Sequence, residues 1–277
     1  MRIVGVALVR NEDVFVEQAL RNVAAVCERI HVFDHDSTDG TAEALGRVAA
    51  DHDHVTVVRT QDARDSHRAL EQYAGTDTWV LGVDGDELYE PSALGGLRAL
   101  LASGAYDDAF HLKAHVLNCT SLDEGSASGH LAPPSRPVTK LFNMAAVDEW
   151  AGCPQRLHGG APRFRPGYDW SSLRYVSEDT EWETDPLRML HLCFLRRSSA
   201  EPGEAPVRRN LSETAGFRRG ALGMLHRLRH RRHIDPRMKA YRAQGSTWKE
   251  EWYARGPVVT VDARPFFGPE AQLASTP

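Results

Sequence analysis

Four short apolar runs, each followed directly by polar residues, organise the first hundred positions of the chain. Residues 3–9 are apolar throughout and predict a buried strand. Over residues 13–28, apolar side chains recur at Val16, Ala19, Leu20, Val23 and Val26, the spacing of one helical face. Residues 30–33 predict a second strand. Ser37-Thr38-Asp39-Gly40-Thr41 is turn and cap chemistry that opens a helix reaching about residue 50. Residues 55–58 predict a third strand, 62–74 a third helix and 79–83 a fourth strand. Pro91 suits a first helical position and starts a helix through about residue 102.

Strand and helix alternating in this way predict an α/β domain whose central sheet is mostly parallel, with helices on both faces. Ligands of such sheets gather beyond the carboxyl ends of the strands. Arg10-Asn11-Glu12, Asp34-His35-Asp36 and Asp84-Gly85-Asp86 each follow a strand, so three polar clusters are expected on one edge.

The second half is less regular. Residues 110–117 predict a strand, and 138–142, the region around Arg156-Leu157-His158, and 189–195 predict others. Residues 121–137 are rich in Ser, Gly and Pro and predict a mobile loop. Residues 198–206 read as a second loop, 207–242 as arginine-rich helix, and the tail after 268 as disordered. The division expected is a catalytic domain over 1–197 and a helical extension over 198–277 that packs on the site or covers it.

The formal charge of −5 gives no pull toward nucleic acid or a membrane surface. No apolar run reaches the 18 residues needed to span a bilayer, and the apolar N-terminus reads as a strand rather than a signal peptide. Cys27, Cys119, Cys153 and Cys193 are scattered with no C-x-x-C pair, which predicts reduced thiols and a cytoplasmic protein. The phosphate-cradling glycine motifs of ATPases and dinucleotide enzymes are missing, as are H-E-x-x-H and G-x-S-x-G.

The sharpest chemical signal is Val80-Leu81-Gly82-Val83-Asp84-Gly85-Asp86-Glu87. A buried strand here delivers two carboxylates, one residue apart, to the sheet edge. Carboxylates are hard oxygen ligands suited to Mg2+ or Mn2+, and such ions keep positions open for phosphate oxygens. Asp86 is the stronger direct ligand; Asp84 binds the metal directly or through water, or holds a ribose. Glu87 is read alternatively as a structural acceptor of turn amides. The plain alternatives are a solvated turn for Asp84 and Asp86, helix caps for Asn11, Glu12, Asp34 and Asp36, and a surface helix for Arg64, His67 and Arg68, of which Arg64 otherwise reaches a phosphate or base. The basic stretch 225–233 is a solvated helix face, a cationic flap or a contact for an acidic partner or membrane surface.

Taken in order, Val9-Arg10-Asn11-Glu12, the run from Phe33 to Thr41, and Val83-Asp84-Gly85-Asp86-Glu87 resemble the successive motifs of family 2-like glycosyltransferases with the GT-A fold. Lys140, Leu157-His158-Gly159 and His191 to Ser198 resemble sparser later motifs of one subgroup. The resemblance implies a nucleoside-diphosphate sugar donor, a hydroxyl acceptor and a metal-dependent transfer, mostly with inversion. It implies that Val9, Arg10, Asn11 and Glu12 cradle the base and ribose, that Asp34 and Asp36 read them, and that His191 completes the metal shell of Asp84 and Asp86. His191 is otherwise a core histidine, and His158 is read as structural. A base on the acceptor hydroxyl is also required. Asp148 and Glu149, or Glu178 and Asp179, are the candidates, because the usual base motif does not appear. Trp150, Trp170, Trp182, Trp248 and Trp252 either stack on a sugar or pack. The rival readings are a nucleotidyltransferase, which would want a glycine- and lysine-bearing loop after the first strand, and a non-catalytic nucleotide-sugar binding protein.

Overall fold

The computed structural model describes residues 1–123, 125–200 and 252–268. Strands β1 (Arg2–Val9), β2 (Arg29–Asp34), β3 (Val55–Arg59) and β4 (Thr78–Val83) run parallel in the order β3-β2-β1-β4. Helices α1 (Val16–Ala24), α2 (Thr41–Asp51) and α3 (Asp65–Glu71) connect them. The central place of β1 explains its unbroken apolar run. Ile3, Ala7 and Val9 enter one core with Val16 and Leu20 of α1 and Leu45 and Val48 of α2. Val4, Val6 and Leu8 enter a second core with Leu70 of α3, Phe110 and Trp150. A strand covered on one face only would have alternated apolar with polar.

After β4 come β5 (Glu87–Tyr89), α4 (Pro91–Ala102), β6 (His111–Leu122), β7 (Ser126–Leu131), β8 (Val138–Asn143), β9 (Val147–Ala151), β10 (Ala161–Phe164), β11 (Leu173–Tyr175), β12 (Arg188–His191) and β13 (Val258–Asp262). Here the sheet becomes largely antiparallel: β4 pairs with β8, β8 with β6, β6 with β7, and β7 with β13. Strand β12 lies between β6 and β5, with His191 in register with Asn118 on one side and Glu87 on the other. That register brings a late histidine beside the turn that β4 carries.

Several expectations are corrected. Helix α1 is shorter than residues 13–28, because the Asp13 carboxylate accepts the Gly40 and Ser199 backbone N–H groups and holds residues 13–15 in a turn. Helix α3 is shorter than 62–74; Asp62 and Arg64 are tied into a turn by Thr60 Oγ1 and Asp62 Oδ1. The loop expected over 121–137 contains β7, a strand that hydrogen-bonds on both sides. No named strand covers 156–158; Arg156 has φ 40° in a turn closed by a Gln155–His158 bridge. The strand expected over 189–195 ends at His191, where Leu195 N–H turns back to Leu192 O. The helix expected over 207–242, the basic stretch 225–233, all but the first three residues of the 198–206 loop, and the tail after 268 lie outside the described residues. The four cysteines are free and buried. Among the described residues no helix is long and apolar enough to cross a membrane.

Gly129 in β7 marks the closest approach of two strands. A Cβ there would lie 2.2 Å from Asn118 O and 2.7 Å from Cys119 Cα, both backbone atoms. Gly129→Ala is therefore expected to destabilise the fold by about 1–3 kcal/mol. Urea unfolding measures this, and an unchanged midpoint would contradict the register described.

Candidate functional site

The turn after β4 is held from both sides. Glu87 N–H donates to Asp84 O (3.1 Å), and Glu87 Oε2 accepts the Asp84 N–H (3.1 Å). Glu12, buried at the end of β1, accepts the Gly85 N–H on its Oε2 (3.0 Å). A Cβ on residue 85 would sit 2.2 Å from that oxygen. The close approach of Glu12, rather than an unusual φ, requires glycine between the two aspartates.

Cations from the second half of the chain neutralise these acids. Lys140 Nζ on β8 lies 2.8 Å from Asp84 Oδ2 and 2.5 Å from Glu87 Oε1. Arg156 Nη1 pairs with Asp84 Oδ1. The Arg156 turn is pinned to α3: its N–H donates to Ser66 Oγ (2.8 Å), and His67 bridges Arg156 O (2.6 Å) and Trp150 O (2.7 Å). His67 is thus a buried brace rather than part of a surface helix. Burial pushes the Asp84 carboxyl upward, but Arg156 and Lys140 outweigh it and hold the group well below the usual carboxylate range. Burial lifts Glu87 to about 8 against the pull of Lys140, with Asp84 and Asp86 adding to the rise.

Asp86 faces a different set of partners. It is buried, its Oδ2 accepts from Arg197 Nη1, and the same oxygen lies 3.9 Å from His191 Nε2. The His191 tautomer follows from its surroundings. Ser135 Oγ donates to Tyr253 O (2.7 Å), and Asn118 Nδ2 donates to Ser135 Oγ (2.7 Å). Asn118 Oδ1 is then the acceptor for His191 Nδ1–H (2.8 Å). In the neutral ring the Nε2 lone pair therefore points to the side of Asp86, the arrangement of a metal-ligating imidazole oriented by its far nitrogen. Asn118 and Arg156 carry no periodicity or local motif of their own, and Arg197 shows only within the sparse motif from His191 to Ser198; pairing across more than 70 residues assembles them.

The loops after β1 and β2 are joined to this turn. Asn11 has φ 53°; its N–H donates to Ser37 Oγ (3.0 Å) and its Oδ1 accepts from Thr38 N–H (2.8 Å). Glu12 N–H donates to Thr41 Oγ1 (2.8 Å), and Val9 O accepts the His35 N–H (2.9 Å). Asp34 Oδ1 accepts the Ser37 N–H (2.9 Å). Asp36 has φ 51° and pairs with Arg59 Nε (2.9 Å) at the surface. Arg10 follows β1 directly and, after burial, is the largest influence lowering the nearby His35. Val9 to Glu12, Asp34, Asp36, Asp84, Asp86 and His191 therefore share the carboxyl edge of the sheet.

Other candidates lie apart from that edge in their contacts. Arg64 is exposed and forked onto Asp62 (2.8 and 2.7 Å), and Arg68 pairs with Asp65 (2.6 Å). Asp148 is held by Arg163 (3.0 Å) and Arg165 (2.9 Å) across the β9–β10 hairpin, with Glu149 exposed beside it. Glu178 and Asp179 line a cleft of about 790 Å³ with His115, Trp182 and Val259, and neither Asp84 nor Asp86 is in its wall. Trp150 and Trp182 are buried, Trp170 is half exposed, and Trp252 lies under Arg136 (4.8 Å). Trp248 lies outside the described residues. His158 is exposed, with Nε2 3.4 Å from Arg156 Nη2.

Among the described residues no group of three or more His, Cys, Asp or Glu side chains is placed to hold a metal alone. Asp86 and His191 nevertheless fit a hard divalent ion, which is commonly bound by few protein groups and completed by water and phosphate oxygens. Asp84 spends both carboxylate oxygens on Lys140 and Arg156. Lys140→Ala would strand the buried Glu87 and take one of the two cations from Asp84, and breaking a buried pair costs about 3–5 kcal/mol. The expected loss is read by urea unfolding at pH 7; a loss below about 1 kcal/mol, the range of exposed pairs, would contradict the burial described.

Residues 6–118 match the family model described as Glycosyl transferase family 2. No curated protein matches the chain. Among solved structures, a mannosyltransferase from Pyrobaculum calidifontis in complex with GDP-Man and Mn2+ is 21% identical with a TM-score of 0.33, over 41% of this chain and 35% of its own. Glucosyl-3-phosphoglycerate synthase from Mycobacterium tuberculosis is 18% identical with a TM-score of 0.32, over 42% of this chain and 44% of its own. A 4-diphosphocytidyl-2C-methyl-D-erythritol synthase from Anaerococcus prevotii is 11% identical with a TM-score of 0.33, over 53% and 73%. The chain spans less than half the length of the first two. The matched segment, 6–118, runs from β1 into β6 and carries the three strand-end clusters, so the likeness to family 2 glycosyl transferases lies in that part of the chain.

Proposed function

We propose that the protein transfers a sugar from a nucleoside-diphosphate sugar to a hydroxyl acceptor, with a divalent metal, Mn2+ or Mg2+, held by Asp86 and His191. The observation that carries this reading is the convergence of a buried carboxylate and an oriented imidazole nitrogen, 3.9 Å apart, at the tip of a central strand. Two ligands of one hard ion at about 2.1 Å each lie about 3.0 Å apart in adjacent positions and about 4.2 Å apart in opposite ones, so a side-chain shift of about 1 Å brings this pair onto a shared cation. When bound, such an ion neutralises the charge that develops on the leaving diphosphate. The chain's own part is to orient His191 through Asn118, to fix the turn through Glu12 and Glu87, and to place Asp84 where Lys140 and Arg156 keep it ionised. In this reading the loop from Val9 to Glu12, with Asp34 and Asp36, receives base and ribose. The catalytic body then comprises residues 1–197 together with β13, which pairs with β7.

Transfer with inversion needs a base for the acceptor hydroxyl. Asp148 is poorly suited. The hydrogen bond from Arg165, with Arg163 adding to it, keeps its carboxyl below the ordinary range and weakens it as a proton acceptor. The proposal therefore leaves the base among Glu149, Glu178 and Asp179.

The test is calorimetric titration with UDP, GDP and dTDP, with and without Mn2+, followed by assay of nucleoside-diphosphate release from the matching sugar donors. One diphosphate is expected to bind only with Mn2+, and Asp86→Ala to abolish that binding. Metal-independent binding, or unchanged affinity in Asp86→Ala, would remove Asp86 from the metal site. Asn118→Ala is expected to weaken Mn2+ by about 10–100-fold, the usual cost of losing the group that orients a ligating histidine. Unchanged affinity in that variant would refute the assigned tautomer.

A further inference from the structure

Asp86 already holds a cation, and that cation belongs to the chain. Arg197 is 4% exposed, and its Nη1 donates to Asp86 Oδ2. Its Nε and Nη2 are buried and have no hydrogen-bond partner among the described residues. Folded proteins rarely leave such donors unmet, and a guanidinium with two open N–H groups presents the fork that grips phosphate oxygens.

The backbone around Arg197 is tied down at several points, and the side chain at Asp86. Val14 N–H donates to Arg197 O (3.1 Å). Ser198 Oγ donates to Asp39 Oδ2 (2.5 Å), and Ser199 N–H donates to Asp13 Oδ1 (2.7 Å). Residues 197–199 are thereby stitched to the loops after β1 and β2, on the edge of the sheet that carries the acidic turn. The guanidinium then has one strong anchor, Asp86 Oδ2, which is also the oxygen nearest His191 Nε2. A divalent ion between Asp86 and His191 would compete with Arg197 for that oxygen.

We propose that Arg197 is an internal counter-ion that holds Asp86 until metal and diphosphate arrive together, then yields the carboxylate to the metal and turns its open N–H groups onto the diphosphate. This rests on the donor and metal reading given above. Metal alone would displace Arg197 and leave a buried cation without an anion; the diphosphate supplies that anion. Each ligand therefore strengthens the other, as coupling between two sites requires. The device withholds the metal position from free ions until a diphosphate is present.

The full chain is titrated with Mn2+ alone, with the nucleoside diphosphate that the wild type binds, and with both. In the wild type, Mn2+ is expected to bind about tenfold more tightly in the presence of the diphosphate, within the usual range of coupling. Arg197→Gln is expected to bind Mn2+ alone about tenfold more tightly than the wild type, to bind the diphosphate with Mn2+ about tenfold more weakly, and so to lose the coupling. A merely structural role would weaken both. Mn2+ affinity that is unchanged or reduced in Arg197→Gln, or unchanged diphosphate affinity, overturns the proposal. Circular dichroism checks the fold of each variant. Should Arg197→Gln not fold, Arg197→Lys keeps a charge on Asp86 but lacks the fork. It is expected to bind Mn2+ alone like the wild type and the diphosphate several-fold more weakly, and equal diphosphate binding overturns the proposal. If the wild type binds no diphosphate with Mn2+, the donor reading fails instead, while the titrations with Mn2+ alone still decide whether Arg197 and the metal compete for Asp86.

Discussion

Four carboxylates meet at the tip of β4, three of them almost wholly buried, and three cations make that possible. Glu12, Asp84, Asp86 and Glu87 come from the first ninety residues; Lys140, Arg156 and Arg197 come from the stretch 140–197. Neither half is tenable at this edge without the other, because a buried charge with no partner is far costlier than a buried pair. The antiparallel half of the sheet can be understood from this requirement. Strand β8 places Lys140, the turn braced by Ser66 and His67 places Arg156, and the segment after β12 places Arg197. The same constraint extends to polar detail. Gly85 lets Glu12 reach the turn amide, and Gly129 lets β7 close on Asn118, which in turn orients His191.

The first hundred residues were legible because their signals are local. The strand runs of β1 to β4 and the helix of α4 at Pro91 follow from periodicity and cap chemistry. The order of three strand-end clusters pointed to one edge, and the structure joins them there. The acids of the site were therefore visible as acids. What they pair with was not: Arg156 sits among residues with no distinguishing pattern, Arg197 lay only within the sparse later motif from His191 to Ser198, and their roles depend on partners more than 70 positions away. Lys140 was visible only as part of a sparse later motif.

The misread elements differ from periodicity for three physical reasons. Strand β7, Ser126–Leu131, has little apolar alternation, and its stability comes from backbone hydrogen bonds to β6 on one side and β13 on the other. Composition sees Ser, Gly and His and reports a loop. Helices α1 and α3 start late because side-chain carboxylates fix the residues before them in turns: Asp13 accepts the Gly40 N–H and Asp62 the Arg64 N–H. Arg156, in a left-handed conformation, interrupts what looked like a strand.

The central claim is that the turn after β4 holds a divalent ion between Asp86 and His191, and that the ion in turn holds a diphosphate. Anomalous diffraction at the manganese edge, from crystals grown with Mn2+ and a nucleoside diphosphate, addresses it directly. The account predicts one strong peak bonded to Asp86 Oδ2 and His191 Nε2, with diphosphate oxygens completing its shell. A peak elsewhere, or a bound nucleotide with Arg197 still on Asp86 and no manganese, would contradict it.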